Sequence, residues 1–396
     1  MSGSGAQPAV ARLARWPQTA PALRAPERSR TVFRILLLAA LAPLAAGIVF
    51  FGFRAGIVAV LCVGSCLIFE WACFRVMSAP AMNSRTHAAL TGLLLALTLP
   101  PQVPWYVPVV GSAFATLVGK AIFGGVGHFL WQPALVGRLA VAAMFASAAQ
   151  PALWPLLAPA KVITGDVCAS RVPAGYRGWL AAPPPEDSAD GYLLRHPAAM
   201  LRGLYDPHHP RYATITDALL EQPDIRDLLY GPSAGGIGET STVILLLVGV
   251  YLIYRHYVLW PLPVAMILSA AAVVAVAPVQ LAGQDGQVRT IWWPLLAEGW
   301  PVGFTFLNYH LAGGELLLAA ILLAPEWTSR PVTRGGQVIF GIGCGTLAML
   351  LRLYVIFPLD AYIAVLVMNT FTPLLERLTR PRVLGKPPWW RWRDRV

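Results

Sequence analysis

Apolar runs near 33–52, 56–77, 86–100, 104–124, 132–150, 241–255, 257–277, 301–323, 337–357 and 360–376 alternate with short polar links along the chain. Most approach the roughly 20 residues that a helix needs to cross about 30 Å of hydrocarbon, and a helix satisfies its own backbone where water is absent. The pattern predicts an all-α polytopic membrane protein with about ten transmembrane helices. One long polar stretch, 151–240, interrupts it after the fifth run. That stretch is rich in proline and in charges of both signs, too polar for lipid, and has helical character only near 214–230.

The two apolar blocks echo each other. "TGLLLALTLPP" (91–101) resembles "GGELLLAAILLAP" (313–325), and each precedes a glycine-interrupted helix, "GKAIFGGVGHFLWQPALVGR" in one block and "GQVIFGIGCGTLAMLLR" in the other. Five spans per block is an odd number, so a second copy would sit upside down relative to the first. Inverted repeats whose short, broken helices meet near the midplane are a common transporter architecture. Glycine and proline are also frequent in membrane helices for other reasons, which leaves a non-repeat reading open. The organisation expected is a basic N-terminal segment 1–32, a first five-helix membrane repeat 33–150, an outer loop 151–240, a second five-helix repeat 241–376 and a basic tail 377–396.

Composition sharpens this picture. Of 396 residues 57% are hydrophobic and only 12% are charged, which excludes a soluble globule with an ordinary charged surface. The net charge of +11 is concentrated at the two ends, in Arg12, Arg15, Arg24, Arg28 and Arg30 and in "RLTRPRVLGKPPWWRWRDRV". Cytoplasmic enrichment of Lys and Arg accounts for it without a nucleic-acid partner. Both termini then lie on the cytoplasmic side of the membrane. The links and flanks bearing Arg75, Arg85, Lys120, Arg138, Arg255, Arg330 and Arg334 lie inside, and 151–240 lies in the periplasm. No small-residue cleavage site follows the first run, so that helix is expected to be retained. The tail tryptophans suit an anchor in the lipid headgroups.

Of five cysteines, Cys62, Cys66 and Cys73 share one face of the second span, Cys344 is in the ninth and Cys168 is in the loop. Buried cysteine is ordinarily a small apolar residue, so no metal site is expected, there or at "YDPHHP".

Four ionisable residues fall within spans or at their edges: Glu70, Lys120, Glu315 and Arg352. A charge deep in a span costs about 2.5–3.5 kcal/mol on insertion scales, so it faces protein or a wet path. Lys120 and Arg352, near span ends, are expected to snorkel to the interface. Glu70 fits an ion pair. Glu315, following Gly313 and Gly314 at a break, reads equally as part of an ion path or of a structural pair. "GPSAGGIGETS" (231–241) precedes the sixth span. Its Gly236 and Gly238 permit close backbone approach, Thr240 or Ser241 can cap the helix, and free N–H groups there favour an anion. A plain capped turn explains the same residues.

Several of these stretches resemble a known family. "GGIGETSTVILLLVGVYLIY" resembles the GSIGETS-type signature of the D-type subunit of the Rnf electron transport complex and of its relative, the B-type subunit of the sodium-pumping NADH:quinone reductase. "GKAIFGGVGHFLWQPALVGRLA" is similar to the family's FGGxGxNxFNPAxxGR stretch, and "GQVIFGIGCGTLAMLLRLY" with "AVLVMNTFTPLLERLTRPRVLGK" to its C-terminal end. The resemblance runs in order from about residue 30 to the end.

It implies a membrane subunit of an oxidoreductase complex that couples electron transfer to sodium or proton movement, alongside other membrane, flavoprotein or iron-sulfur subunits. No catalytic residue of an independent enzyme is implied. It also implies FMN esterified to a threonine in a motif Asp-x-x-Ser/Thr-Gly-Ala-Thr. The equivalent stretch, "HHPRYATITDALL", places Thr214 at the attachment point. Thr214, Gly124, Gly125, Gly236, Gly238, Glu239, Thr240 and Ser241 are then cofactor-binding candidates, and Glu315, Glu70 and Arg352 ion-path candidates. His208, Arg211 and Tyr212 depart from the motif's Asp, Ser/Thr and Gly, Phe129 and Gln132 replace usual asparagines, and Glu326 replaces or displaces an aspartate. These departures sustain an alternative, a flavin-free paralogue serving ion transport or assembly on the same scaffold.

Overall fold

A computed structural model describes residues 29–77, 85–146, 167–170, 192–197, 201, 204–205, 212–231, 233–282, 288–355 and 359–380. The basic N-terminal segment to residue 28, the tail tryptophans, "YDPHHP", Arg211 and the side chain of Cys168 lie outside the described residues.

Each apolar run contains helix. The first block is α1 (Ser29–Phe51), α2 (Phe53–Met77), α3 (Arg85–Thr98), α4 (Tyr106–Thr116) and α5 (Pro133–Ala146). Two short helices follow in the polar stretch, α6 (Ile215–Leu220) and α7 (Ile225–Tyr230). The single helix expected near 214–230 is therefore two, because Pro223 has no N–H and disfavours helix at the residue before it. The second block is α8 (Thr242–Tyr254), α9 (Pro261–Val276), α10 (Trp300–Ala312), α11 (Leu316–Leu318), α12 (Arg334–Leu350) and α13 (Asp360–Leu378).

Among the described residues three continuous helices, Arg30–Phe51, Phe53–Val76 and Arg334–Val355, are long and apolar enough to cross a membrane, and a fourth if the bent pair of Trp300–Ala312 and Leu316–Leu323 is one span. Shorter apolar helices occupy Tyr106–Ala121, Pro133–Phe145, Thr242–Tyr254 and Pro261–Val276. Large apolar side chains such as Val60, Ile68, Leu247 and Leu268 point outward, exposed, as lipid-facing positions require. The chain is a multi-pass membrane protein.

The all-α expectation needs one correction. Strands β1 (Val167–Ser170) and β2 (Tyr192–Arg195) pair antiparallel, as do β3 (Val279–Ala282) and β4 (Val288–Ile291). Pro278 stops α9, and the chain leaves the helical layer as an extended strand whose free edge β4 then covers.

Among the described residues three helices end in wide turns that close one residue later than an α-turn. They are Leu117–Ala121 after α4, Ala319–Leu323 after α11 and Leu351–Val355 after α12. Such turns recur at functional sites, because the extra residue rotates the next side chain out of register. Lys120 and Arg352 both sit in one.

With little hydrophobic force between helices in lipid, close backbone approach through small residues holds them together. Gly345 of α12 lies so near the Met266 carbonyl oxygen and the Ser269 hydroxyl of α9 that no Cβ fits. Gly345→Leu is therefore expected to destabilise the α9–α12 contact by about 1–3 kcal/mol, the usual range for overpacking. Thermal unfolding of the purified chain in detergent will read this as a lowered midpoint, with Gly64→Leu, where a Cβ meets nothing within 4 Å, as the neutral control.

Candidate functional site

The turn before α8 is packed deep in the fold. Ile237 N–H donates to the Leu99 carbonyl at 2.9 Å, which fastens the turn to the C-terminal end of α3. Gly235, at φ +147°, lets the chain double back so that the Glu239 carboxylate accepts from Gly236 N–H at 2.9 Å. The other oxygen of Glu239 accepts from the Tyr362 hydroxyl of α13. Gly236 and Gly238 leave no room for a side chain against Leu97 and Thr98.

Neither hydroxyl that suggested a cap makes one. Ser241 is the residue before α8, but its hydroxyl donates to the Leu229 carbonyl at 3.2 Å, and that of Thr242 donates to the Leu228 carbonyl at 3.1 Å. Both tie α7 down. Thr240 is fully buried, with no hydrogen-bond partner for its hydroxyl among the described residues.

Arg352 forms the second element of the site. Its Nε donates to Asp360 Oδ2 at 2.7 Å and its Nη2 to Oδ1 at 2.9 Å, a bidentate pair. Nη1 donates to the His310 carbonyl at 2.6 Å and to that of Gly313 at 3.3 Å. Those carbonyls are left open because the helix breaks at Gly313–Gly314, where α10 and α11 meet at 59°. At Gly314, with φ +104°, a Cβ would meet the His196 ring at 2.7 Å. The expected snorkelling of Arg352 does not occur: the side chain is 1% exposed.

Glu315 follows the break directly. It is buried, and its Oε2 has no hydrogen-bond partner among the described residues. It lies within electrostatic reach of Asp360, Glu239, Arg138 and Arg352, so three carboxylates share two guanidiniums. His310 adds a buried imidazole whose two nitrogens find no hydrogen-bond partner among the described residues. Its ring stands edge-on to Phe306, with centroids 4.7 Å apart, and Tyr205 covers its other side at 6.1 Å. Burial, reinforced by Tyr354, pushes the Tyr205 hydroxyl above its ordinary range. Arg138 was expected near the inner links but is 1% exposed in α5.

A separate charged group contains Glu70. Lys120 Nζ donates to Glu70 Oε2 at 2.6 Å with both side chains buried, so Lys120 does not snorkel either. Lys120 also feels Glu326, which meets His87 Nε2 at 3.0 Å and accepts from the Ser329 hydroxyl.

Gly124 and Gly125, at φ +94° and +104°, form the loop after Lys120, and Gly125 N–H donates to the Lys120 carbonyl. That loop leads to Phe129, whose ring meets His87 at the start of α3, whereas the turn 235–241 meets the end of α3. About 1.5 Å of rise per residue over α3 puts roughly 15–20 Å between them. The loop from Gly124 to Phe129 thus reaches the start of α3, and the turn around Gly236 and Glu239 its end.

Thr214 stands apart again, exposed at the start of α6. Its Oγ1 accepts from Asp217 N–H at 3.0 Å, and Asp217 Oδ2 accepts from Thr214 N–H at 3.0 Å, a capping box. Among the described residues no group of three or more His, Cys, Asp or Glu could hold a metal ion.

Asp360, Tyr362, His310 and Arg138 were missed as site residues. Arg138 inside "PALVGRLAV" carried the readable signal, a charge within an apolar run. Asp360 and Tyr362 lie at the edge of the last run, where a polar residue draws no notice.

Residues 17–385 match the model of the family described as NQR2, RnfD, RnfE. The D subunit of the ion-translocating oxidoreductase complex of Stutzerimonas stutzeri is 35% identical over 371 residues, 90% of this chain and 93% of that one. The D subunit of the Na(+)-translocating ferredoxin:NAD(+) oxidoreductase complex of Acetobacterium woodii is 30% identical over 369 residues, 93% of this chain and 94% of that one. The D subunit of the proton-translocating ferredoxin:NAD(+) oxidoreductase complex of Clostridium ljungdahlii is 29% identical over 340 residues, 86% of each.

Removing one member of a buried charge pair leaves the other uncompensated, at a cost of about 3–5 kcal/mol. Asp360→Asn is expected to lower the unfolding midpoint in detergent steeply. Asp360→Asn combined with Arg352→Met is expected to recover much of the loss.

Proposed function

The chain belongs to the NQR2, RnfD, RnfE family, and from that premise we propose that it is a membrane subunit of an ion-translocating oxidoreductase complex whose own part is to carry a cation past Glu315. The supporting observation is the buried group at the broken helix. A carboxylate with an open oxygen lies there within reach of two further carboxylates and two guanidiniums. A cation entering there exchanges its hydration for Glu315 while Arg352, held by Asp360, keeps the break open. Glu70, which accepts from Lys120 at 2.6 Å, serves as a structural pair. Electrons enter through other subunits, of flavoprotein or iron-sulfur type, and their passage drives the ion.

In this reading the ten helical stretches are ten crossings in two inverted halves. Both termini are cytoplasmic, and the polar stretch 151–240 is periplasmic in the inner membrane of a bacterium. The bond from Ala282 N–H to the Tyr212 carbonyl supports it, because it joins the loop to the β3–β4 pair, which the alternation of crossings assigns to the same side. Relatives named for sodium and for protons leave either ion to be assayed.

A second reading gives this copy a flavin on Thr214 that relays electrons at the outer face. The solvent-facing position of Thr214 favours it, since a modifying enzyme could reach the hydroxyl.

The ion route is tested with Glu315→Gln in the assembled complex, reconstituted into vesicles. Uptake of sodium and acidification of the lumen are followed together with electron transfer. Uptake is expected to fall to background while the subunits still copurify; unchanged uptake of both ions overturns the route.

A further inference from the structure

The start of α6 is saturated with bonds from the chain itself. Ile215 N–H donates to Glu298 Oε1 at 2.6 Å, and Thr216 donates to Glu298 Oε2 through its N–H at 2.9 Å and its hydroxyl at 2.7 Å. Thr214 N–H is taken by Asp217 and Asp217 N–H by Thr214 Oγ1. All four N–H groups that a helix start leaves open therefore have partners, and the acceptor for two of them is a carboxylate more than 80 residues away in sequence.

A carboxylate in that position does for a helix start what a phosphate does: it accepts from successive N–H groups and meets the positive end of the dipole. A flavin esterified to Thr214 would bring a phosphodiester anion to the same donors. It would find them occupied and two carboxylates, Asp217 and Glu298, already there. Like charges so close repel, and neither could leave without opening the cap.

The residues just upstream are committed as well. Tyr212, where the family's motif has glycine, is buried, its hydroxyl donates to Glu221 Oε2 at 2.7 Å, and its carbonyl accepts from Ala282 N–H at 2.8 Å. A glycine there would carry no ring to bury and no hydroxyl for Glu221 to hold. His208 and Arg211 stand where the motif has Asp and Ser/Thr, while Ala213 and Thr214 keep its last two residues.

The residues at Thr214 thus do not fit a covalently held flavin. We infer that Glu298 stands where the flavin phosphate would lie, and that Thr214 in this chain is a helix cap that carries no flavin. This rests on family membership, not on the ion route.

The test coexpresses the full chain with a flavin transferase. In parallel, a family member that keeps Asp-x-x-Ser/Thr-Gly-Ala-Thr is expressed in the same host. Both are purified from membranes and denatured, then read by intact mass and in-gel flavin fluorescence. The relative is expected to fluoresce and this chain to show its unmodified mass. A fluorescent band on this chain that vanishes in Thr214→Val overturns the inference. Thermal unfolding supplies a second arm: Glu298→Ala and Thr214→Val are expected to lower the midpoint and Thr214→Ser to preserve it. Unchanged midpoints in the first two overturn the role given to Glu298. Copurification of the wild-type chain with its partner subunits reports separately on the proposed function.

Discussion

The bidentate pair of Arg352 with Asp360 holds the second half of the molecule in place. A guanidinium sealed from solvent must find an acceptor for each of its forks, and here two come from one carboxylate and two from carbonyls freed by the break after α10. The break therefore has a partner built to receive it. Three elements meet at that one side chain: the end of α10, the wide turn closing α12 and the first residue of α13. Glu315 and Glu239 lie within electrostatic reach of this fixed point, and Tyr362 donates to Glu239.

Much of the fold is written in simple patterns. The apolar runs place the helices of both membrane blocks because hydrocarbon admits few alternatives, and Gly313–Gly314 marks the break. The strand pair β3–β4 is not visible in this way, since four-residue strands bounded by a single proline have no periodicity to read. Lys120 and Arg352 look like span-end residues by position alone. What buries them is the wide turn, which rotates each one inward, and that rotation depends on hydrogen bonds rather than on composition.

The candidate site is legible in part for a related reason. Glu315 and the turn around Glu239 stand out as charge and glycine in apolar surroundings. Their neighbours Asp360 and Tyr362 do not, and helix packing brings Tyr362 to Glu239 across 123 residues of sequence. Sequence likeness groups the glycines at 124–125 with those at 235–238, yet α3 stands between them as a spacer. Likeness reports what a family shares, and distance is set by the elements between.

The loop segment around Thr214 has a bearing on how the protein is made. Its fastenings are Ala282, Glu298 and Tyr309, the last donating to the Pro223 carbonyl. All of them are synthesised some 70 to 86 residues after the groups they hold. On a ribosome the segment emerges, and α8 and α9 follow, before any of these partners exists. The segment is thus fastened retroactively, by chain that arrives after two more helices have been made, so early truncations leave it without an anchor.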